Sequence, residues 1–331
     1  MHVHLAHLAR YLLLDCYYFL KPVIPEGIRF LLRHWYAMPL KWAAAASWPI
    51  RPASASVPSG WPGWPDGKSF AFVLTHDVET RKGLGRCRAL ADMEARLGFR
   101  SAFNFVPEGD YDTPESLRTF LTGSGFEIGV HDLHHDGSLY RSYSAFKKRA
   151  PRINHYLKAW NASGFRSGFM RHNLRWLQHL DVEYDASTFE YDPFEPQPDG
   201  TGTIFPFWVY RDDGSAYLEL PYTLPQDVTL FLVLRERSND IWKRKLDWLA
   251  ARGGMALLIV HPDYLSFEGE PGANEFHASI YEDFLKYARK HYGKTAWFAR
   301  PRDVAAYVKR CMQPAGAPVR EAAIARGQSH A

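Results

Sequence analysis

Three short stretches of this 331-residue chain carry side chains that could do chemistry together. His131 and His135 stand as H-x-x-x-H behind the apolar lead-in Ile128-Gly129-Val130. Wound as one turn, that spacing brings two imidazoles to one side, about 5–6 Å apart at Cβ. Two nitrogens so placed can converge on one divalent metal at about 2.0–2.1 Å. His134 competes as an i+3 partner of His131, and a hydrogen-bonded histidine cluster is the simpler reading of the pair alone. Asp77 and Glu79 form D-x-E at the end of the apolar stretch 70–74. Residues two apart in extended chain point to the same side. One carboxylate can then ligate a metal while the other stays free as a base, as metal-assisted hydrolysis requires. The alternative is a carboxylate pair capping the helix that follows. The third stretch is His261-Pro262, directly after the fully apolar 255–260.

The elements that must position these residues follow from the hydrophobic pattern. Strands are expected at 70–74, 101–106, 127–131, 164–168, 182–188, 255–260 and 295–298. Amphipathic helices are expected at 84–97, 113–121, 142–160, 239–251, 274–292 and 301–311. Such alternation argues for an α/β fold with a mainly parallel sheet. About seven strands without a Gly-rich first turn suit a deformed (β/α)7-type barrel with an N-terminal helical arm. Barrel chemistry sits at the C-terminal ends of strands. Here those ends carry His76-Asp77-Val78-Glu79, His131-Asp132-Leu133-His134-His135, Arg166 and His261. No G-x-G-x-x-G or Walker-type loop occurs, so phosphate cradling is unsupported.

Taken in order, these motifs resemble the polysaccharide deacetylases, carbohydrate esterase family 4 with the NodB-homology domain. The resemblance covers about residues 70–310, and its most specific piece is Glu127-Ile128-Gly129-Val130-His131-Asp132-Leu133-His134-His135. It implies a deformed (β/α) barrel and removal of N- or O-acetyl groups from a polysaccharide or oligosaccharide with a divalent metal, often zinc. It further implies that Asp77, matching the first Asp of T-F-D-D-G, is the general base. The second Asp of that motif is Val78 here, and the implied metal ligands are Glu79, His131 and His135, as in a variant branch reading D-V-D or D-V-E. Arg166 in Gly164-Phe165-Arg166 would orient the base, and His261 would be the general acid. The Pro and Gly of the family's R-x-P-x-G are absent after Arg166, which leaves the shape of that wall open. His76 replaces the family's Phe, either as a fourth ligand or as a buried histidine behind the site. Asp185 receives no role. A His₂-carboxylate set suits zinc but also cobalt, nickel or manganese.

Composition bounds the rest. Apolar residues are 46%, charged residues 23% and the formal charge +4, ordinary for a globular chain and too weakly basic to argue for nucleic acid. The three cysteines form no C-x-x-C, which fits a reducing, cytoplasmic compartment. Residues 1–65 read as an amphipathic arm followed by a Pro/Ser/Gly linker, residues 66–311 as the barrel, and 312–331 as a disordered tail. The apolar run 11–20 is too short to span a bilayer, and no clear signal peptide is visible. In 27–48, Arg29, Arg33 and Lys41 interleave with aromatic residues. That suits a helix lying in a membrane interface, or one packed on the barrel or on another subunit. The Pro/Gly-rich 191–202, with Phe207, Trp208 and Tyr210, could line a sugar groove or cap the barrel. Three functions remain in play. The first is a metal-dependent deacetylase of an acetylated carbohydrate. The second is a deacylase or deformylase of a lipid-linked sugar at a membrane surface. The third is an inactive glycan-binding scaffold.

Overall fold

Parity along the strands decides the architecture. In the computed structural model, which describes residues 25–197 and 199–312, the first strand β1 (Phe70–Val78) alternates between two apolar clusters. Phe70, Phe72, Leu74 and Val78 pack into a cluster shared with the surrounding helices. Ala71 and Val73 join residues of other strands on the inner side, including Leu218, Leu257 and Ile259. Burying both faces is what a parallel sheet with crossover helices demands.

The chain then alternates α2 (Arg81–Arg96), β2 (Ala102–Phe105), α3 (Glu115–Gly123), β3 (Glu127–His131), α4 (Tyr143–Ala159), β4 (Gly164–Arg166) and β5 (Tyr184–Asp185). A hairpin, β6 (Phe207–Tyr210) and β7 (Ala216–Glu219), precedes α5 (Asp240–Arg252) and β8 (Met255–Ile259). A small parallel pair, β9 (Leu265–Ser266) and β10 (Phe276–His277), leads to α6 (Ala278–Tyr292), β11 (Ala296–Ala299) and α7 (Pro301–Cys311). The arm contributes α1 (Glu26–Ala43).

Strand β1 is the hub. It pairs in parallel with β2 through 75–78, with β8 through 71–75 and with β11 through 70–73. From β2 the sheet continues through β3, β4, β5 and β7, all parallel, and ends on antiparallel β6. The backbone N–H groups of Thr223 and Leu224 both donate to the Leu257 carbonyl, which ties the chain beyond β7 to β8 and curls the sheet toward closure. Helix α7 closes the opposite end, where the Arg302 N–H donates to Glu127 at the start of β3. The (β/α) barrel expectation holds. The hairpin β6–β7 was not expected, and the expected strand 182–188 is only the two residues of β5.

The arm is seated on the barrel. Phe30 meets the Tyr264 ring edge-on at 5.9 Å, the His34 ring donates to the Val233 carbonyl at 2.8 Å, and Lys41 pairs with Glu236 at 2.6 Å. The stretch 51–67, a linker by composition, is packed as well. Ser54 is buried, and the Trp64 indole N–H donates to the Gly253 carbonyl at 2.7 Å. Pro52 and Pro65 open short 3-10 turns, and Gly60, Gly63 and Gly67 take positive φ. The apolar run 11–20 and the tail from 313 lie outside the described residues. Among the described residues no helix is long and apolar enough to cross a membrane.

Candidate active site

The parity that splits the core also aims the polar strand ends. On β1, Ala71, Val73, Thr75 and Asp77 share the inward face, and Glu79 follows one step beyond. On β2 the helix side takes Phe103 and Phe105, leaving Asn104 inward; on β4 it takes Phe165, leaving Arg166 inward. On β8, inward Met255, Leu257 and Ile259 continue in step to His261. Registers then set neighbours side by side: Asp77 beside Asn104, and His131 beside Arg166. Asn104 donates to Asp77 Oδ1 at 2.8 Å, and Arg166 Nη1 lies 3.5 Å from Asp77 Oδ2 with both side chains buried. Gly129 stands opposite Asn104, and a Cβ there would fall 2.1 Å from Asn104 Oδ1. Burial would raise the Asp77 pKa. The charges of Arg166, His131 and His261, with the Asn104 hydrogen bond, outweigh it and hold the carboxyl below its ordinary value.

Glu79, His131 and His135 bring one ligand atom each to within 4.8 Å of one another. The His131 ring donates from Nδ1 to the Arg166 carbonyl at 3.1 Å, which leaves Nε2 as the free lone pair. That Nε2 is buried without a hydrogen-bond partner. His135 Nε2 is equally orphaned, approaching Glu79 Oε1 at 3.1 Å without making a hydrogen bond. Two buried imidazole nitrogens facing a carboxylate fit a divalent cation's donor set. Burial lowers the His131 pKa by more than Asp77 raises it, keeping the ring neutral and fit to ligate near pH 7.

The two histidines do not meet through a helical turn, as their spacing suggested. His131 ends β3, and the link is a tight loop with Asp132 and His135 at φ of 55° and 52°. The ring centroids are 4.8 Å apart. The segment after Arg166 shapes the outer wall: Phe169, itself at φ 58°, lies against the His135 ring at 4.3 Å. A Cβ on Gly168 would fall 2.8 Å from His135 Cδ2 and 2.7 Å from Asp132 Oδ2. Gly168→Ala is therefore expected to weaken metal affinity roughly 10-fold or more, the scale of disturbing a ligand's supporting shell. Competition with a chromogenic chelator measures it. Wild-type affinity in a folded variant would contradict this geometry.

His261 Nδ1 lies 2.7 Å from Asp227 Oδ1, and the His261 backbone N–H donates to Asp227 Oδ2 at 2.7 Å. Asp227 is fixed at the head of a π-helical turn, Val228–Val233, where its carboxylate also accepts the Val228 N–H. Burial would lower the His261 pKa, but the charges of Asp227, Glu79 and Asp77 prevail and raise it to about 10. Asp227 and Asn104 were both missed in the sequence. Asp227 precedes His261 by 34 positions with no motif linking them. Asn104 is visible only as the inward position of a strand.

Several ambiguous residues are placed as well. His76 hydrogen-bonds to the Val260 carbonyl and to Glu94 through its two ring nitrogens, fully buried behind the site. His134 hydrogen-bonds to the Glu108 carbonyl and does not join the group of three ligand atoms. Helix α2 is capped by Thr80 and Asp263. Asp185 accepts both the hydroxyl and the N–H of Ser187, whose Oγ in turn accepts the Ser167 N–H. Asp185 thus braces the turn beyond Arg166.

No protein-family model and no curated protein sequence matches the chain. Solved structures do. A protein from Mycobacterium smegmatis assigned as a polysaccharide deacetylase superposes with a TM-score of 0.60 at 17% identity, covering 80% of this chain and 98% of that one. The Puue allantoinase superposes with a TM-score of 0.59 at 17% identity, covering 78% and 96%. The chain has the polysaccharide deacetylase fold.

On this polysaccharide deacetylase fold the polar strand ends open into a cavity of about 830 Å³. Asp77, Glu79, His131, His135 and His261 lie on its floor, and Phe169 and Met170 form part of its wall. The loop 191–202 contributes Phe194, Glu195 and Pro196. Phe207, Trp208 and Tyr210 do not line it. They lie on β6, where the Trp208 indole donates to the Met312 carbonyl. Helix α1 supplies a further part of the wall with Arg29, Phe30, Leu32, Arg33, Tyr36 and Ala37. The arm is therefore part of the site, a role that composition alone did not suggest.

Proposed function

We propose that the chain is a metal-dependent hydrolase that removes acetyl groups from N- or O-acetylated sugars. One observation carries this reading. A carboxylate held ionised, Asp77, and an imidazole held protonated, His261, share one cavity with a separate set of three ligand atoms. Glu79, His131 and His135 would hold the cation, with zinc first among the candidates. A divalent cation there supplies Lewis acidity to the scissile carbonyl and to water. Asp77 takes a proton from the attacking water. Arg166 and Asn104 keep Asp77 ionised and aimed. His261 delivers a proton to the departing amine or alkoxide, and Asp227 holds its ring in place for that transfer. An inactive binding barrel has no need of both a base and an acid.

The fold neighbours are named as a polysaccharide deacetylase and an allantoinase, and hydrolysis at an acyl–nitrogen centre is compatible with both names. A second reading, a deacylase or deformylase of a lipid-linked sugar, is favoured by the apolar wall that Phe30, Leu32 and Val233 add to the cavity. Release of acetate or formate from acylated glycans and from a lipid-linked acyl sugar tests both readings. Turnover of neither class would overturn the proposal.

The acid role has its own test. Activity requires protonated His261 and is lost as pH rises through its pKa. Asp227→Asn removes the charge that raises this pKa, so the alkaline limb of kcat against pH should move down by roughly 1–3 units. An unmoved limb in a folded variant would remove His261 from the acid role.

A further inference from the structure

Helix α1 is amphipathic the wrong way round for a helix in water. Its packed face carries Phe30 and Ala37. Its outward face presents Ile28, Leu31, Leu32, Trp35, Tyr36 and Trp42, exposed by 50, 42, 51, 67, 57 and 79%. These positions recur at three- and four-residue spacing and include no charge. Among the described residues the other exposed large apolar side chains are only Val57 and Tyr143, elsewhere in the chain. Large exposed apolar side chains gathered on one helix face mark a contact surface.

We infer that this face docks the protein on an anionic lipid bilayer. Three observations select a bilayer over a second copy of the chain. First, the patch is rich in Trp and Tyr, whose rings are apolar with a polar N–H or O–H, as suits the headgroup boundary. Second, one of its edges is cationic. Arg29 and Arg33, both half-buried, run along that side. Lys41 lies instead on the packed stripe with Phe30, His34 and Ala37, where it pairs with Glu236, and exposed Arg235 and Arg237 flank that glutamate. Anionic headgroups complement such a cationic edge. Third, Leu32 and Tyr36 belong both to the patch and to the cavity wall. A second copy seated there would crowd the cavity mouth, but a bilayer leaves the mouth facing its headgroup layer.

The inference does not depend on the hydrolase reading, since lipid binding is measured without turnover. The full chain should float with phosphatidylglycerol/phosphatidylcholine vesicles and bind pure phosphatidylcholine far more weakly. Leu31, Trp35 and Trp42 do not line the cavity. The triple variant Leu31→Ser, Trp35→Ser, Trp42→Ser should bind anionic vesicles more than about 100-fold more weakly, given the apolar area withdrawn. It should keep wild-type turnover of a soluble acylated substrate. Trp35→Phe with Trp42→Phe should retain most of the binding. Undiminished flotation of the triple variant would overturn the assignment and place binding in residues 1–24. A wild-type chain that ignores vesicles but sediments as a dimer, reverting to monomer in the triple variant, would overturn it in favour of a second copy.

Discussion

Replacing Asp77 with asparagine is expected to lower kcat by roughly 10²–10⁴-fold, the usual contribution of a positioned base, with metal content unchanged. The substitution keeps the shape and leaves Oδ1 to accept from Asn104. It removes the charge opposite Arg166, whose three guanidinium nitrogens are buried without hydrogen-bond partners. Leaving a buried charge unpaired costs about 3–5 kcal/mol, so the variant should also melt earlier. The pH dependence follows from the depressed pKa of Asp77. A carboxyl whose folded pKa lies below its unfolded value stabilises the fold above about pH 4. It loses that contribution as pH falls through the folded value. Asp77→Asn should therefore flatten the acid limb of the stability curve. Steady-state kinetics, metal analysis and thermal melts across pH separate the two effects. A loss of less than tenfold in a folded, metal-loaded variant would remove Asp77 from the role of base.

The second large effect is expected at His131. His131→Ala should weaken metal binding by more than about 100-fold and abolish turnover, because losing a ligand exceeds the roughly 10–100-fold cost of disturbing its supports. The fold should persist. The Arg166 carbonyl that accepts from the His131 ring also accepts the Asp132 backbone N–H at 2.8 Å. His134→Ala is the matched control. Its ring bonds the Glu108 carbonyl and is not one of the three grouped ligands. It should retain metal and activity, and metal loss on changing His134 but not His131 would reverse the assignment.

Much of the site was legible because strands have a period of two. Once the strand expected at 70–74 is continued as extended chain, Asp77 and Glu79 must share a face, and the inner face of a barrel is where strand-end side chains converge. The same counting places His131, Arg166 and His261. What escaped the sequence depends on contacts between distant segments. Asp227 heads the apolar stretch 228–233 and meets His261 only through a contact between segments 34 positions apart. Asn104 gains its meaning from pairing with Asp77 across two strands. The H-x-x-x-H spacing suggested a helical turn, but the two left-handed residues Asp132 and His135 bring the rings together by another path. Helix α1 carried a visible amphipathic pattern, yet pattern alone does not say which face meets the barrel. In the fold its apolar side is divided, with Phe30 inward and Trp35 and Trp42 outward.

The most direct test of the central claim joins metal content to turnover in one preparation. The purified full chain is assayed for bound divalent metal and for acetate release from acetylated glycans, before chelation, after chelation and after metal is restored. The account predicts about one metal per chain, held by Glu79, His131 and His135, with activity lost on chelation and recovered on reloading. Full acetate release by the metal-free protein would contradict it.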